Sequence, residues 1–372
     1  MEARAVPVAN RPAPRPAAPP GPRAPRWVRR LPVLLLLADL VAEALFPRTV
    51  AAGFLLTPIP VVVAFSFGPG TALLSTAGAI GLQIALAARV GHLDEQHHIW
   101  IYVATLLSGV MGTALSWQRI RQERSLVRAR TVAETLQRAV LRPVPERAGD
   151  LRVAALYRAA HADAGVGGDL YALCDTRFGV RLLLGDVRGK GLEAVRTVAE
   201  VLGAFRAAAH GTARLAELAE QLDRTVMREA VDRGDEELFV TAVLLEYATG
   251  SGRVDVINRG HLAPLVLSGT AVATVSCPDE LPLGLGHLAA PAEPAVTTGV
   301  PLPPGHTLLV HTDGVSEARD ASGTFYPLAG RLGSLGTSAP DLVVAFLDRD
   351  VAAYAGRLHD DLAVLALSPS PE

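Results

Sequence analysis

The chain has little lysine, little cysteine and almost no net charge. Of its 35 basic residues only Lys190 is a lysine, and the formal net charge is −2. Because general nucleic-acid binding needs an excess of positive charge, we predict no nucleic-acid partner. The 2 cysteines, Cys174 and Cys277, lie far apart in the sequence. They indicate neither a disulfide framework nor a cysteine metal site.

Charged residues are scarce over one long region, residues 31–117, in a chain whose hydrophobic content is 50%. A membrane span needs roughly 20 apolar residues. We therefore predict an all-α membrane region with about four transmembrane helices, and two helices are the fallback. The predicted spans are residues 31–46, 50–67, 71–90 and 98–117.

Arginine residues flank this apolar region on both sides. Arg26, Arg29 and Arg30 precede it, and Arg119 and Arg121 follow it. Since positively charged flanks face the cytoplasm, both ends of the region should lie inside the cell and the number of spans should be even. We therefore predict a multi-pass protein of the cell membrane whose N-terminus and C-terminal domain are cytoplasmic.

The rest of the sequence divides into three further segments. Residues 1–30 are rich in proline and arginine and predict a disordered N-terminus. Residues 118–144 predict a helical linker, free of glycine and proline up to residue 141, which could form a homodimer. In residues 145–372 strand-like runs, some paired as hairpins, alternate with helix-like runs. This pattern predicts an α+β domain rather than a doubly wound parallel sheet.

The run GDVRGKG, residues 185–191, lies between a strand-like and a helix-like segment. A nucleotide-binding P-loop requires serine or threonine after its lysine, and here Gly191 follows Lys190. The glycine spacing also differs from the fingerprint of dinucleotide-binding folds. The run therefore carries neither nucleotide-binding motif.

Aspartates stand at the edges of several predicted strands. A lone carboxylate in such a place is usually a turn or cap residue, but its repetition over the domain indicates a shared role. Clustered carboxylates raise each other's pKa unless a cation neutralises them, and hard divalent ions prefer oxygen ligands. The pattern therefore predicts a metal site. Its aspartates are Asp169, Asp186, Asp313, Asp360 and Asp361.

Several short motifs occur in an order that resembles a known family. They are GVGGDLY, GDVRGKG, FVTAVL, NRGH, LPLGLG, HTDGVSEARD and HDDLAVLAL. Their order is similar to that in metal-dependent protein phosphatases of the PPM, or protein phosphatase 2C-like, family, in the bacterial branch of stage II sporulation phosphatases and sigma-factor regulators. The resemblance covers about residues 145–369. It implies an αββα sandwich, in which helices flank two antiparallel sheets, and two Mn²⁺ or Mg²⁺ ions at one edge.

The resemblance also implies roles for the aspartates. Asp186 would bridge both ions, and Asp186 and Asp313 are the expected catalytic residues. Asp361 stands where the family has aspartate or asparagine, so it ranks below Asp360 as a ligand. The expected metal ligands are Asp169, Asp186, the carbonyl group of Val187, Asp313, Asp360 and Asp361. A water molecule activated by the two ions would attack phosphorus in line, without a covalent phosphoenzyme.

Arg188 and Lys190 are the expected substrate-binding residues, because their charges can hold a phosphate group. Arg188 stands where this branch commonly has serine, and Ala172 stands where it often has aspartate, which removes one carboxylate near the site. The resemblance implies hydrolysis of phosphoserine and phosphothreonine on cytoplasmic regulators, notably anti-anti-sigma-factor-like proteins. The alternative function is a catalytically weak, phosphatase-like sensor or tethering module controlled by the membrane region.

Overall fold

Two compact units make up the chain, Met1–Leu126 and Val127–Glu372. The division falls inside the predicted linker rather than at its end. The computed structural model describes residues 25–45, 53–90, 96–160, 167–278, 280–288 and 295–370.

The first unit is built of helices. The first helix begins at Arg26, so residues 26–30 of the predicted disordered segment are helical, while residues 1–24 lie outside the described residues. The helices are α1 (Arg26–Leu45), a 3-10 helix (Phe54–Leu56), α2 (Ile59–Phe67), α3 (Pro69–Val90) and α4 (Gln96–Val140), which continues into the second unit.

Two helices of this unit, Pro69–Arg89 and Gln96–Ser125, are long and apolar enough to cross a membrane. They correspond to the third and fourth predicted spans. The second predicted span, 50–67, is not one continuous helix, because Pro58 and Pro60 cannot donate backbone hydrogen bonds and α2 starts beside them. The 9 residues of α2 cover about 14 Å, too little for a hydrocarbon core of about 30 Å. The first predicted span lies in α1. This helix contains too many charged residues to meet the criterion for a membrane-crossing helix.

Large apolar side chains are exposed on these helices. Examples are Leu74, 75% exposed, Trp100, 70% exposed, and Leu45, 66% exposed. Water-soluble domains rarely leave so many large apolar side chains uncovered, whereas lipid tails accommodate them. This surface is therefore compatible with the membrane location predicted from hydropathy.

In the described residues of the second unit, two antiparallel sheets are accompanied by five α-helices and by the last turns of α4. One sheet consists of β1 (Arg147–Ala148), β2 (Leu151–Arg158), β7 (Leu265–Ser268), β8 (Ala271–Thr274), β10 (Thr307–His311) and β11 (Leu362–Pro369). The other consists of β3 (Asp169–Thr176), β4 (Gly179–Val187), β5 (Val240–Tyr247), β6 (Arg253–Arg259) and β9 (Thr298–Pro301). The helices are α5 (Leu192–Ala209), α6 (Leu215–Arg233), α7 (Asp313–Ser316), α8 (Leu328–Leu335) and α9 (Pro340–Ala355). The strand orders are β1-β2-β11-β10-β7-β8 and β3-β4-β5-β6-β9.

The two sheets pack between two layers of helices. α5 and α6 cover the five-stranded sheet, and α8 and α9 cover the six-stranded sheet. Side chains along β11 alternate between two cores: Ala363 and Leu365 join the core that the two sheets share, whereas Leu362 and Val364 join the core beneath α8 and α9. This arrangement confirms the predicted αββα sandwich, preceded by a helical region.

The last turns of α4 belong to the second unit. Ala133 and Gln137 are 1% and 2% exposed, and Val140 packs against the domain core. At other positions of this helix, the side chains of Val127 and Leu136 are exposed. The buried face of the helix end therefore contains a polar residue, Gln137, where an amphipathic helix usually places an apolar one.

Candidate functional site

Two of the predicted site aspartates face each other across neighbouring strands. Asp169 is the first residue of β3 and pairs with Asp186 near the end of β4. Gly168 has no room for a side chain, because a Cβ atom there would lie 2.3 Å from the carbonyl oxygen of Val187 and 2.8 Å from Oδ1 of Asp186. This glycine therefore lets the two strands bring both carboxylates and the Val187 carbonyl together.

A third aspartate, Asp313, begins α7 just after β10. The preceding residue, Thr312, joins this segment to the other sheet, because its Oγ1 donates to Oδ2 of Asp169 over 2.7 Å. Gly314 follows Asp313, and a Cβ atom there would lie 1.8 Å from the carbonyl oxygen of Asp361. The end of β10 is thus held against the starts of β3 and β11.

Asp360 and Asp361 both precede β11 but lie in different environments. Asp361 is 1% exposed. Its carboxylate accepts hydrogen bonds from the hydroxyl of Tyr157 (2.6 Å), the backbone N–H of Ala160 (2.9 Å) and Nε2 of Gln137 (3.2 Å). The side chain of Asp360, by contrast, is 41% exposed. Because Asp361 is buried and Asp360 is exposed, Asp360 is the carboxylate of this pair that a cation can reach.

The GDVRGKG loop brings the single lysine to this carboxylate. Nζ of Lys190 lies 2.9 Å from Oδ2 of Asp360. Gly189 and Gly191 have φ angles of 103° and 88°, which glycine adopts readily, and α5 begins directly after them. The loop is therefore a strand-to-helix turn whose lysine neutralises an aspartate of the site.

Arg188, the other predicted substrate-binding residue, is engaged elsewhere. Its guanidinium forms an ion pair with Glu237, and Nη1 also donates to the carbonyl oxygen of Glu237 over 3.2 Å. The two side chains are 43% and 75% exposed, and exposed ion pairs typically contribute only about 0–1 kcal/mol. The structure thus brings Lys190, but not Arg188, into contact with a site aspartate.

The site carboxylates act on one another electrostatically. Burial, followed by the negative charges of Asp313, Asp360 and Asp361, raises the pKa of Asp186 to about 7. The positive charge of Lys190 opposes this rise. Such a pKa indicates that the surroundings of this carboxylate contain too little positive charge to stabilise its ionised form.

Asp169 and Asp313 show the same effect. Burial and then the charge of Asp186 raise the pKa of Asp169, and burial and then the charge of Asp360 raise the pKa of Asp313. Within the described ranges, no three histidine, cysteine, aspartate or glutamate side chains converge closely enough to form a ready-made metal site. The donors still fit a hard divalent ion, because all of them are oxygens whose mutual repulsion a cation would relieve.

Sequence comparison places the C-terminal domain in a known family. The family profile of stage II sporulation protein E (SpoIIE) matches residues 176–369, just over half of the chain. The chain belongs to the stage II sporulation protein E family. The match contains Asp186, Asp313 and Asp360 but begins after Asp169. No curated protein sequence matches the chain.

Solved structures share the fold of this SpoIIE-family domain. The RsbU and RsbW domains of a Mycobacterium tuberculosis protein match with a TM-score of 0.51 and 23% identity, over 59% of this chain and 61% of that chain. The PP2C phosphatase domain of SpoIIE from Bacillus subtilis, with a fragment of its regulatory domain, matches with a TM-score of 0.50 and 16% identity, over 60% and 64%. The SiaA PP2C domain of Pseudomonas aeruginosa matches with a TM-score of 0.54 and 18% identity, over 68% and 97%. This chain therefore spans less than two thirds of the first two structures, and the shared feature is the PP2C fold.

Sequence reasoning missed three side chains that hold the candidate site together, namely Gln137, Tyr157 and Thr312. Each bonds a site aspartate that is distant in the chain: 224 residues separate Gln137 from Asp361, and 143 separate Thr312 from Asp169. A local sequence pattern carries no information about such contacts. Thr312 alone stood in a motif of the family resemblance, HTDGVSEARD, where its hydroxyl beside an aspartate was a usable signal.

Mn²⁺ should stabilise a fragment of residues 127–372 against heat more strongly at about pH 8 than at about pH 6. The pKa of Asp186 is raised to about 7, above its usual value near 4, so its ionisation destabilises the metal-free fold as the pH rises through about 7. At lower pH the proton on Asp186 competes with the ion. Scanning fluorimetry with Mn²⁺ and with EDTA measures the difference in Tm. A larger Mn²⁺ effect at the lower pH would contradict the placement of Asp186 at a metal site.

Proposed function

We propose that this protein is a membrane-anchored, metal-dependent serine/threonine phosphatase that acts on phosphorylated cytoplasmic regulators. The observation that carries the proposal is the placement of Asp169, Asp186, Asp313 and Asp360 at or next to the ends of four neighbouring strands, β3, β4, β10 and β11, of a PP2C fold. Membership of the family supports the phosphatase chemistry, and the two long apolar helices of the first unit support the membrane anchor.

The proposed donors divide into two groups. Asp169 and the Val187 carbonyl lie beside Asp186, and the negative charges of Asp313 and Asp360 contribute to its raised pKa. These oxygens would hold two ions, Mn²⁺ or Mg²⁺, with Asp186 shared between them. Such ions, when bound, supply Lewis acidity and an activated water nucleophile.

The loop residues would bind the phosphate group. The pair of Lys190 with Asp360 is exposed, and exposed pairs contribute little, so Lys190 can turn to a phosphate oxygen when a cation takes its place on Asp360. Arg188 can leave Glu237 at similarly low cost and offer a bidentate contact. The first backbone N–H groups of α5, which have no partner within the helix, favour an anion at the same loop.

We place the substrates among small phosphorylated regulators of the anti-anti-sigma-factor type, in keeping with the sigma-factor branch that the motifs resemble. The linker helix could support a homodimer, because Val127, Val132 and Leu136 are 53%, 51% and 46% exposed on it. The proposed domain order is a disordered N-terminus, a membrane domain, a helical linker and the phosphatase domain, as the sequence predicts.

The direct test is phosphate release from phosphoserine and phosphothreonine peptides by the full chain in detergent with Mn²⁺. We expect turnover on both peptides. The alternative function is a catalytically weak sensor or tethering module. It is supported by the observation that no three metal-binding side chains converge among the described residues. Absence of turnover with every divalent ion tested, in a folded protein, would favour that alternative.

The membrane part leads to a separate prediction. Arginine flanks on both sides of the apolar region predict that its two ends lie in the cytoplasm. A reporter protein fused after residue 145 should therefore lie in the cytoplasm, and one inserted after Asp94 should lie outside the cell. A phosphatase and fluorescent-protein reporter pair distinguishes the two locations. An external signal from the first fusion would require an odd number of spans and would separate the enzyme from cytoplasmic substrates.

A further inference from the structure

The last turns of α4 bring a buried amide to the aspartate site. Gln137 is 2% exposed. Its Nε2 donates to the carbonyl oxygen of Gly167 and to Oδ2 of Asp361, both over 3.2 Å. A buried amide with two defined acceptors is a specific contact, because an unsatisfied polar group in this position would destabilise the fold.

Both acceptors belong to segments that carry site aspartates. Gly167 lies two residues before Asp169 at the entry to β3, and Asp361 directly follows Asp360. The backbone N–H of Asp361 also donates to Oδ1 of Asp360 over 2.9 Å. Gln137 therefore bridges the chain segment of one group of proposed ligands to the segment of the other group.

The surroundings leave little freedom for this bridge. A Cβ atom on Gly167 would lie 2.7 Å from Cγ of Asp361, so the two segments are already in close contact. Tyr157 and Ala160 donate the other hydrogen bonds to Asp361. Any displacement of Gln137 therefore has to move the Asp361 carboxylate, the entry to β3, or both.

The helix that carries Gln137 is itself docked on the domain. Ala133, one helical turn earlier, packs against Val195 of α5, and these residues are 1% and 3% exposed. Val140 and Leu141 pack into the main core at the helix end. Since residues at i and i+4 share one helix face, the docking of this face aims the Gln137 amide at its acceptors.

We propose that Gln137 is a positioning residue for the metal site. It sets the distance between the β3 entry and the Asp360–Asp361 turn, and so sets how well Asp169 and Asp360 can serve the same pair of ions. The proposal rests on the proposed phosphatase function and extends its machinery to a residue of the linker helix. Glutamine suits the role, because its amide supplies two N–H donors and no charge, whereas glutamate would oppose the buried Asp361 carboxylate.

The test uses the full chain in detergent and has two readouts. The first is the Mn²⁺ concentration that gives half of the maximal Tm increase. The second is the Mn²⁺ concentration that gives half-maximal turnover of an aryl phosphate. Gln137→Met keeps the side-chain length and removes the donors. We expect both Mn²⁺ concentrations to rise about tenfold or more, the range seen when hydrogen-bond partners of metal ligands are lost. Gln137→Glu should have a larger effect. Gln122→Met and Gln122→Glu, at an exposed position of the same helix, are matched controls that should leave both values unchanged.

A rescue experiment separates positioning from simple stabilisation. Asp361→Asn in the Gln137→Glu background exchanges the donor and the acceptor at this contact, whereas the Gly167 carbonyl receives no donor from the glutamate side chain. The double variant should therefore recover part of the Mn²⁺ response that Gln137→Glu loses. A lower Tm with an unchanged half-saturating Mn²⁺ concentration in Gln137→Met, or no recovery in the double variant, would overturn the positioning role. If the unmodified chain itself shows neither an Mn²⁺-dependent Tm nor turnover, the proposed function fails first, and the positioning role fails with it.

Discussion

Asp186→Asn should lower turnover by more than about 100-fold while the protein remains folded. Loss of a hydrogen-bond partner of a metal ligand typically costs 10–100-fold, so loss of a ligand shared by both proposed ions should exceed that range. Asp186 has the position for this role, because it pairs with Asp169 across the sheet and lies in the negative field of Asp313 and Asp360. The neutral amide keeps the shape of the side chain but is a poor ligand for a hard cation.

The same substitution should leave or raise the stability of the metal-free protein. The pKa of Asp186 is raised to about 7, so at about pH 8 its buried negative charge opposes folding when no cation is bound, and asparagine removes that charge. In EDTA the Tm of Asp186→Asn should therefore equal or exceed that of the unmodified chain, and its increase with Mn²⁺ should be lost. This combination distinguishes a missing ligand from a damaged fold.

Two further variants complete this experiment. Asp313→Asn should lose activity to a similar degree, because Asp313 is the leading donor proposed for the second ion. Asp255→Asn is the matched control, since Asp255 is a partly exposed aspartate on β6 of the sheet that contains Asp186, and its ion partner is Arg253. Near-normal kcat in folded Asp186→Asn protein would show that the site lies elsewhere.

Removal of divalent ions should lower phosphatase activity by several orders of magnitude. The described residues place oxygens at the site, and neither Cys174 nor Cys277 has an arginine six residues later, as a cysteine-based phosphatase would require. Without an ion, the pKa of water stays far above neutral pH, so water is a poor nucleophile there. Activity of the full chain on a phosphoserine peptide should fall to background in EDTA and return with excess Mn²⁺ or Mg²⁺.

EDTA that is already saturated with the same divalent ion as the assay, Mn²⁺ or Mg²⁺, provides the control, because it keeps the chelator but cannot lower the concentration of that ion. It should leave activity intact. Undiminished turnover in free EDTA after exhaustive dialysis would rule out the two-metal mechanism proposed for this protein.

Much of the domain could be predicted from the sequence because its signals are local. Alternating and continuous apolar runs predicted the strands, turn residues separated them, and the order of the motifs indicated the αββα sandwich that the structure contains. The strand-edge positions of Asp169 and Asp186 were also readable, since Asp169 precedes one apolar run and Asp186 ends another. The same local reasoning joined residues 50–67 into one span, whereas the structure divides this segment into a 3-10 helix and α2 near Pro58 and Pro60.

The relations among the site residues were decided by tertiary structure. The register that places Asp169 opposite Asp186 depends on how β3 and β4 pair, and the bond from Thr312 to Asp169 joins two different sheets. The different roles of Asp360 and Asp361, adjacent in sequence, follow from burial and from donors that arrive from α4 and β2. A helix pattern reports which face of α4 is apolar, but it carries no information about an acceptor 224 residues away. Only the packing of α4 against the sandwich brings Gln137 and Asp361 within hydrogen-bond distance.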